Sequence, residues 1–217
     1  MIYYIDFDST LFNTSGFIKE ILTALSKEIN FQDCNLDAEE IYLEVKKVYA
    51  KDNIYNLNEL CKYFADKYNL NEERLVNSVD NVINNGKDFV YNDSVEFLKN
   101  LINNGHKINL LTYTLKERIE YQVQKVYGSG LVKYFENIII TTAPKWKLDL
   151  NYSNGIFIDD NPKDLAGLYH QNSQAVVRIK REGNKYSSKS MPDNIEIPEY
   201  ASLKEFCQRD QIWHNDK

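Results

Sequence analysis

The chain has 217 residues and a mass of 25.5 kDa, with 43% hydrophobic and 27% charged residues. This length and composition predict one folded domain of ordinary size, or a core domain with a smaller insertion, and argue against extended disorder. The net charge of −6 at pH 7 argues against nucleic acid as a partner. No stretch has the apolar length of a membrane-spanning helix, so we expect no membrane association.

The cysteines and the first residues both indicate a reducing environment. Cys34, Cys61 and Cys207 are odd in number, lie far apart and form no Cys-x-x-Cys pair, which is typical of reduced thiols. No basic leader precedes the first apolar residues, and Asp6 interrupts them at once, so they do not resemble a signal peptide. We therefore expect a cytoplasmic protein.

The chain begins with a short apolar run that ends at two aspartates. Residues 2–5 are rich in β-branched and aromatic side chains, which predicts a strand buried on both faces of a sheet. Asp6 and Asp8 follow where this strand would end, and open α/β sheets bind ligands outside the carboxyl ends of their strands. An acidic turn without a function is the simpler interpretation of these residues alone, because Asp and Ser are common in turns.

The next segment, from Thr14 to about Asn85, has helical spacing throughout. Apolar residues recur every three or four positions, and Asn71 is suited to cap the last of four helices. Short polar segments separate the helices, and no part of the segment shows the alternation of a strand. We expect a small antiparallel helical bundle, which gives a helical insertion domain at residues 14–89.

From Val90 onward, strand and helix patterns alternate, which predicts a parallel sheet with right-handed crossovers. The predicted strands cover residues 107–112, 138–140, 155–158 and 175–179, with helices between them. The first strand is separated from this region only by the helical segment. We therefore predict an α/β core domain of residues 1–13 and 90–217, into which the helical bundle is inserted.

Three of the predicted strands end in polar residues that are suited to phosphoryl transfer. Asp6 and Asp8 follow the first strand, Thr112 ends the second, and Asp159 and Asp160 follow the strand at 155–158. Taken singly, Thr112 is an ordinary β-former, and the aspartates are ordinary turn or cap residues. Parallel strands place their carboxyl ends on one edge of the sheet, so the common placement favours a single site.

These residues carry a resemblance to the haloacid dehalogenase (HAD) superfamily that covers most of the chain. Asp6-Phe7-Asp8-Ser9-Thr10 resembles motif I, usually written Asp-x-Asp-x-Thr, and Leu110-Leu111-Thr112 looks like motif II. Lys145 or Lys147 looks like the motif III lysine, and the segment 156–164 looks like motif IV. The resemblance implies a Rossmann-like α/β core, and the position of the helical insertion is similar to that of the C1 cap in this superfamily.

The resemblance also implies roles for the site residues. Asp6 matches the nucleophile, and Asp8 matches the acid/base that protonates the leaving oxygen and then activates water. Thr112 would donate its hydroxyl to a phosphate oxygen, and the lysine would neutralise charge on the transferring group. We prefer Lys145, which directly follows a Thr-Thr-Ala-Pro turn, and Lys147 is the alternative. Alone, either lysine is an ordinary solvated loop residue.

A divalent cation is expected among these carboxylates. Two like charges about 4 Å apart repel each other by about 4 kcal/mol at an effective dielectric near 20. Oxygen ligands with retained waters point to Mg²⁺. Asp6 and Asp160 are the expected carboxylate ligands, and the resemblance implies that Asp8 also binds the metal through its backbone carbonyl. Asp159 has a less defined role, and Asp164 would orient water or the motif III lysine.

Together these features predict a Mg²⁺-dependent phosphatase that acts on a small phosphorylated metabolite through an aspartyl-phosphate. Dehalogenases and the phosphonate-cleaving members of the superfamily lack an aspartate at the position of Asp8, so its presence favours phosphate esters. The alternatives are a phosphomutase or other phosphotransferase of the same superfamily, and a non-catalytic phospho-ligand-binding protein. The sequence does not indicate an oligomeric state.

Two further segments bear on the site. The first departs from the family pattern, and the second has two interpretations. Tyr91-Asn92-Asp93 stands where relatives commonly have a Pro-Gly turn before a helix. The loop at residues 180–189 is basic and rich in turn residues, which favours a solvated, mobile loop over an anion-binding flap.

Overall fold

The computed structural model describes residues 1–32, 37–50, 57–150, 152–171, 175–192 and 195–209. Their contacts divide the chain into two units, one of residues 1–15, 89–114 and 130–217, and one of residues 16–88 and 115–129. None of the described helices combines the length and the apolarity needed to cross a membrane. Cys61 and Cys207 are buried free thiols, and Cys34 lies outside the described residues.

The first unit is built on a parallel sheet with the strand order β3-β2-β1-β4-β5-β6. The strands are β1 (Ile2–Ile5), β2 (Lys107–Tyr113), β3 (Asn137–Thr141), β4 (Gly155–Asp159), β5 (Ala175–Ile179) and β6 (Glu199–Tyr200). The predicted α/β class with a Rossmann-like parallel sheet is confirmed. Strand β6 was not predicted, because two residues are too few to show an alternating pattern.

Eight α-helices lie in the described part of the chain. They are α1 (Thr14–Gln32), α2 (Ala38–Tyr49), α3 (Leu57–Tyr68), α4 (Glu72–Asn84), α5 (Asn92–Asn103), α6 (Ile119–Gly128), α7 (Pro162–Tyr169) and α8 (Leu203–Arg209). In the first unit, α7 packs against β4 and β5, and α5 packs against β2 and α8. Asn161 caps α7, since its side chain accepts a hydrogen bond from the backbone of Lys163.

The sheet is buried on both of its faces. Tyr4 of β1 stacks on Phe157 of β4 with ring centroids 4.8 Å apart, and Leu165 of α7 belongs to the same buried cluster. The residues on either side of Tyr4, Tyr3 and Ile5, point to the opposite face and are fully buried there. The first strand is therefore a central strand that is buried on both faces.

The second unit consists of helices. The insertion predicted at residues 14–89 supplies α1 to α4, and the segment after β2 supplies α6, which contacts α4. This contact requires a glycine, because a Cβ atom at Gly128 would lie 2.2 Å from the backbone oxygen of Ile83. The amphipathic pattern of α6 alone gave no indication that this helix would pack with the inserted helices.

Candidate functional site

The sheet brings three aspartates together at the carboxyl ends of two neighbouring strands. Asp159 ends β4 and Asp160 follows it, while Asp6 follows β1 and donates its backbone N–H to the carbonyl of Ile158 at 2.8 Å. Each of the three offers a carboxylate oxygen within 4.8 Å of the others, and all three side chains are buried. The parallel register of β1 and β4 therefore produces a concentrated acidic cluster.

Lys145 lies inside this cluster. It begins a 3-10 turn, Lys145–Lys147, and its Nζ lies 2.6 Å from Oδ1 of Asp6 and 2.6 Å from Oδ2 of Asp159. The side chain of Lys145 is only 3% exposed, whereas Lys147 lies on the surface. Of the two lysines considered from the sequence, the structure thus places Lys145 beside the proposed nucleophile.

The turn that contains Lys145 packs against α7 through the following residue, Trp146. The indole of Trp146 lies over Gly167, where a Cβ atom would come within 2.3 Å of Trp146 Cδ2. The hydroxyl of Tyr152 donates to the carbonyl oxygens of Lys145 and Leu148. The position of the ammonium therefore depends on contacts well outside the acidic cluster.

The cluster carries more negative than positive charge when all of its groups are ionised. Burial raises the pKa of Asp160 to about 9, and repulsion from Asp6 and Asp159 adds to this rise. Burial also raises the pKa of Asp6 well above its usual value, although Lys145 acts in the opposite direction. Burial by itself would lower the pKa of Lys145, but attraction to Asp159 and Asp6 raises it, so the ammonium stays charged.

The three carboxylates differ in how their oxygens are used. Asp159 accepts from Lys145 with Oδ2 and from the backbone N–H of Asn161 with Oδ1, at 2.9 Å. Among the described residues, the carboxylate of Asp6 accepts a side-chain hydrogen bond only from Lys145, and the carboxylate of Asp160 accepts none. Two converging carboxylates with unused oxygens, in a cluster with excess negative charge, fit a hard divalent cation.

Asp8 stands apart from this cluster and is held by a different contact. It is half-buried, and its Oδ1 accepts a hydrogen bond from Thr14 Oγ1 at 2.6 Å. Its carboxylate is not among the converging oxygens, which agrees with a residue expected to meet a metal through its backbone carbonyl rather than its side chain. That carbonyl contact stays a prediction.

Thr112 and Asp164 lie in the same unit. Thr112 is 1% exposed in β2, which continues one residue beyond the predicted end, to Tyr113. Asp164 lies in the first turn of α7 and accepts a hydrogen bond from Asn161 Nδ2 at 2.7 Å. Burial raises the pKa of Asp164 to about 6, and repulsion from Asp159 adds to this rise. Their catalytic and orienting roles stay predictions.

Two parts of the site were missed by the sequence analysis. Arg178 has no exposed surface, and its Nε donates to the backbone carbonyl of Asp160 at 3.2 Å. The basic loop at 180–189, expected to be solvated, instead contributes the buried residues Arg181 and Asn184. No sequence signal identified these residues, because an arginine at the end of a strand or in a polar loop is ordinarily exposed.

Comparisons with other proteins show similarity of structure and not of sequence. No protein-family model matches the sequence, and neither does any curated protein. A HAD phosphatase from Thermococcus onnurineus is 18% identical, with 95% of each chain covered and a TM-score of 0.58. A 2-haloacid dehalogenase from Pseudomonas syringae is 13% identical, with 98% of each chain covered and a TM-score of 0.61.

A HAD hydrolase candidate from Bacillus subtilis, whose crystal structure contains magnesium, is also similar in fold. It is 13% identical, with 95% of this chain and 96% of that chain covered and a TM-score of 0.54. These similarities extend over nearly the whole length of all three chains. The protein therefore has the fold of the HAD-like hydrolases.

Proposed function

We propose that this chain is a Mg²⁺-dependent phosphatase that hydrolyses a small phosphorylated metabolite through an aspartyl-phosphate. The single observation that carries the proposal is the position of Lys145, whose ammonium bridges Asp6 and Asp159 inside a buried cluster that also contains Asp160. A buried carboxylate paired with a lysine and lying beside an acidic pair is suited to attack a phosphate group. The HAD-like fold places this cluster at the carboxyl ends of the strands.

In the first step, a carboxylate oxygen of Asp6 attacks phosphorus, and the bond between phosphorus and the ester oxygen breaks. The leaving oxygen takes a proton from the carboxylic acid of Asp8. In the second step, Asp8 takes a proton from water while that water attacks phosphorus, and the phosphorus–oxygen bond to Asp6 breaks. Asp6 is regenerated as a carboxylate, Asp8 is again protonated, and inorganic phosphate leaves.

The other site residues would stabilise charge during these steps. Lys145 holds the Asp6 carboxylate and would neutralise the transferring phosphoryl group, and Thr112 would donate its hydroxyl to a phosphoryl oxygen. When bound, Mg²⁺ would be held by Asp6, Asp160 and the carbonyl of Asp8, and would supply further positive charge against the phosphoryl oxygens. Asp159 is engaged by Lys145 and Asn161, which supports Asp160 as the carboxylate ligand.

Similarity of fold does not decide which reaction this protein catalyses, because both a phosphatase and a dehalogenase are among the similar structures. Asp8 supports a phosphate ester, since an ester oxygen that leaves needs a proton and a halide does not. A phosphomutase or other phosphotransferase would use the same two aspartates. It would return the phosphoryl group to an organic acceptor instead of releasing inorganic phosphate.

The proposal is tested by measuring inorganic phosphate released from 4-nitrophenyl phosphate, with Mg²⁺ and with excess EDTA. We expect activity only with Mg²⁺ and its complete loss in Asp6→Asn, while the exposed control Asp66→Asn retains wild-type activity. Equal activity in Asp6→Asn and wild type would exclude Asp6 as the nucleophile. A folded wild-type protein that neither releases phosphate from a panel of phosphorylated metabolites nor transfers their phosphoryl group to an organic acceptor would favour the non-catalytic alternative.

A further inference from the structure

The loop after β5 packs against the turn that contains Asp8. We name residues 180–189 the post-β5 loop and residues 7–12 the motif I turn. Asn184 Nδ2 donates to the carbonyl of Ser9 at 3.2 Å, and Arg181 Nε donates to the carbonyl of Thr10 at 3.0 Å. Both donors belong to buried side chains. Two consecutive peptide groups of the motif I turn are thus bound from outside the turn.

The motif I turn has a conformation that needs external support. Ser9 has a φ of 64°, a left-handed conformation that costs a residue with a Cβ atom about 1–2 kcal/mol. Within the turn, Ser9 donates to the carbonyl of Phe12, and Leu11 and Phe12 both donate to the carbonyl of Phe7. The carbonyls of Ser9 and Thr10 instead accept from the post-β5 loop, which therefore helps to hold Ser9 in its strained conformation.

Asn184 is itself fixed on its other side. The hydroxyl oxygen of Tyr91 lies 3.0 Å from Nδ2 and 3.3 Å from Oδ1 of the Asn184 amide. Ser15 Oγ lies 3.4 Å from the same Oδ1. Because Nδ2 also faces the carbonyl of Ser9, rotation of the amide would break several contacts at once. Asn184 therefore presents a fixed donor to the motif I turn.

Arg181 has a second anchor in the same segment as Tyr91. Its two terminal nitrogens form a bidentate pair with Asp93 at 2.8 and 3.2 Å, and its guanidinium lies 3.8 Å from the ring centre of Tyr91. Asp93 also accepts from the backbone of Leu203 and Lys204 at the start of α8. The segment that departs from the common Pro-Gly turn thus supplies both anchors of the post-β5 loop.

We infer that Asn184, anchored by Tyr91, and Arg181, anchored by Asp93, are positioning residues that hold the backbone after Asp8 and so place its carboxyl group for proton transfer. Thr14 holds the carboxyl group of Asp8, and Asn184 binds the peptide group between Ser9 and Thr10, one peptide further along the turn. The inference rests on the proposed function, because it explains how the carboxyl group of Asp8, the proposed acid/base, is held in position.

The test uses substrates that depend differently on the acid. A poor leaving group, such as that of an alkyl phosphate, requires protonation, whereas 4-nitrophenolate leaves with little help. We expect Asn184→Ala to lower kcat/KM about tenfold to a hundredfold for the alkyl phosphate and about threefold or less for 4-nitrophenyl phosphate. Asp8→Asn should show the same selectivity to a greater degree.

Two further variants separate positioning from folding. Asn184→Asp keeps the size of the side chain but replaces the donor facing Ser9 by an oxygen, so we expect it to reproduce the selectivity of Asn184→Ala. Ser187→Ala removes a hydrogen bond from the Ser187 hydroxyl to the carbonyl of Asn184 within the post-β5 loop but leaves the bonds from Asn184 and Arg181 to the motif I turn in place, so it should behave as wild type. Equal losses on both substrates in both Asn184 variants would overturn the inference.

A second readout does not depend on activity. The backbone N–H groups of Leu11 and Phe12 are bonded inside the motif I turn, so their hydrogen exchange reports whether it opens. We expect faster exchange at these groups in both Asn184 variants and no change in Ser187→Ala. Unchanged exchange in the Asn184 variants would overturn the inference even in an active enzyme. An inactive wild type would overturn only the proposed function, because exchange would still decide whether Asn184 holds the turn.

Discussion

The guanidinium of Arg178 donates from Nε to the backbone carbonyl of Asp160, at a distance of 3.2 Å and without any exposure to solvent. The same side chain donates to Glu199 at 2.6 Å and to the carbonyls of Tyr186 and Lys189, each at 2.8 Å. One residue thus fixes the peptide of an expected metal ligand, the edge strand β6 and the post-β5 loop. A compact ammonium could not reach these acceptors together.

Replacement of this arginine should affect both folding and metal binding. We expect Arg178→Lys to lower the free energy of unfolding by about 2–4 kcal/mol, because three backbone carbonyls and Glu199 lose a charged donor from a fully buried side chain. It should also weaken Mg²⁺ binding, because the backbone at Asp160 is released. Urea unfolding and calorimetric Mg²⁺ titration measure the two effects. Lys180→Gln removes only an exposed ion pair with the same Glu199 and should cost less than about 1 kcal/mol, so equal losses would contradict this account.

Replacement of each of the two lysines of the 3-10 turn should have a very different effect on kcat. Lys145→Met removes the charge that Asp6 and Asp159 share, and we expect a loss in kcat of about a hundredfold to a thousandfold. Lys147→Met removes an exposed side chain of the same type two residues away and should leave kcat unchanged. Steady-state kinetics with an aryl phosphate measure both variants. The opposite order would show that Lys147 is the motif III lysine.

Stability should depend on pH through the acidic cluster. In the metal-free protein the pKa of Asp160 is raised from 3.8 to about 9, so the folded state binds this proton more tightly than the unfolded state. Its contribution to stability is therefore largest below about pH 4 and is lost as the pH rises towards about 9. We expect the increase in Tm produced by Mg²⁺ to grow between pH 6 and pH 8.

Asp160→Asn is the matched control for this pH dependence, because the amide side chain has a similar size but does not ionise in this pH range. In this variant, the metal-free protein should lose less stability over the same pH range, and Mg²⁺ should raise Tm much less. Thermal unfolding with Mg²⁺ or EDTA, followed by circular dichroism, measures both effects. A wild-type response to Mg²⁺ that is independent of pH would contradict the assignment.

A glycine remote from the acidic cluster should control the position of Lys145. A methyl group at Gly167 would overlap the indole of Trp146 and displace the turn that begins at Lys145. We expect Gly167→Ala to lower kcat about tenfold or more, since a displacement of about 1 Å at a catalytic group can cost about a hundredfold.

The paired variant Gly167→Ala with Trp146→Ala tests whether this loss comes from overlap. Removing the indole makes room for the new methyl group, so the double variant should fall no further than Trp146→Ala alone. A purely additive loss of activity in the double variant would indicate that Gly167 acts by another route. Kinetics of all three variants, with unfolding midpoints as a check on folding, provide the measurement.

The sequence was sufficient to predict five strands of the sheet and the proximity of Asp6 to Asp159 and Asp160 for a physical reason. A strand that is buried on both faces is a nearly continuous apolar run, so the first polar residue after it marks its carboxyl end, as Asp6 does. Parallel pairing then brings such ends together, which places Asp6 beside Asp159. No knowledge of side-chain contacts was needed for this step.

Side-chain contacts between distant segments were beyond the reach of sequence patterns. Lys145 and Lys147 have the same side chain in the same turn, and the contacts of Lys145 with Asp6 and Asp159 are seen only in the structure. The burial of Arg181 likewise depends on Asp93 and Tyr91, which belong to another part of the chain. A polar loop is predicted to be solvated unless the residues that it contacts are known.

The central position of β1 also has a consequence for the order of folding. This strand precedes its partners in the sheet by more than a hundred residues, since Leu110 and Ile158 lie beside Ile5. Closing such long loops is entropically costly, so we expect the sheet to form late and slowly. Asp6 meets Lys145 and Asp160 only when β4 has joined β1. Folding intermediates should therefore lack catalytic activity altogether, and activity should return with the last, slowest phase of refolding.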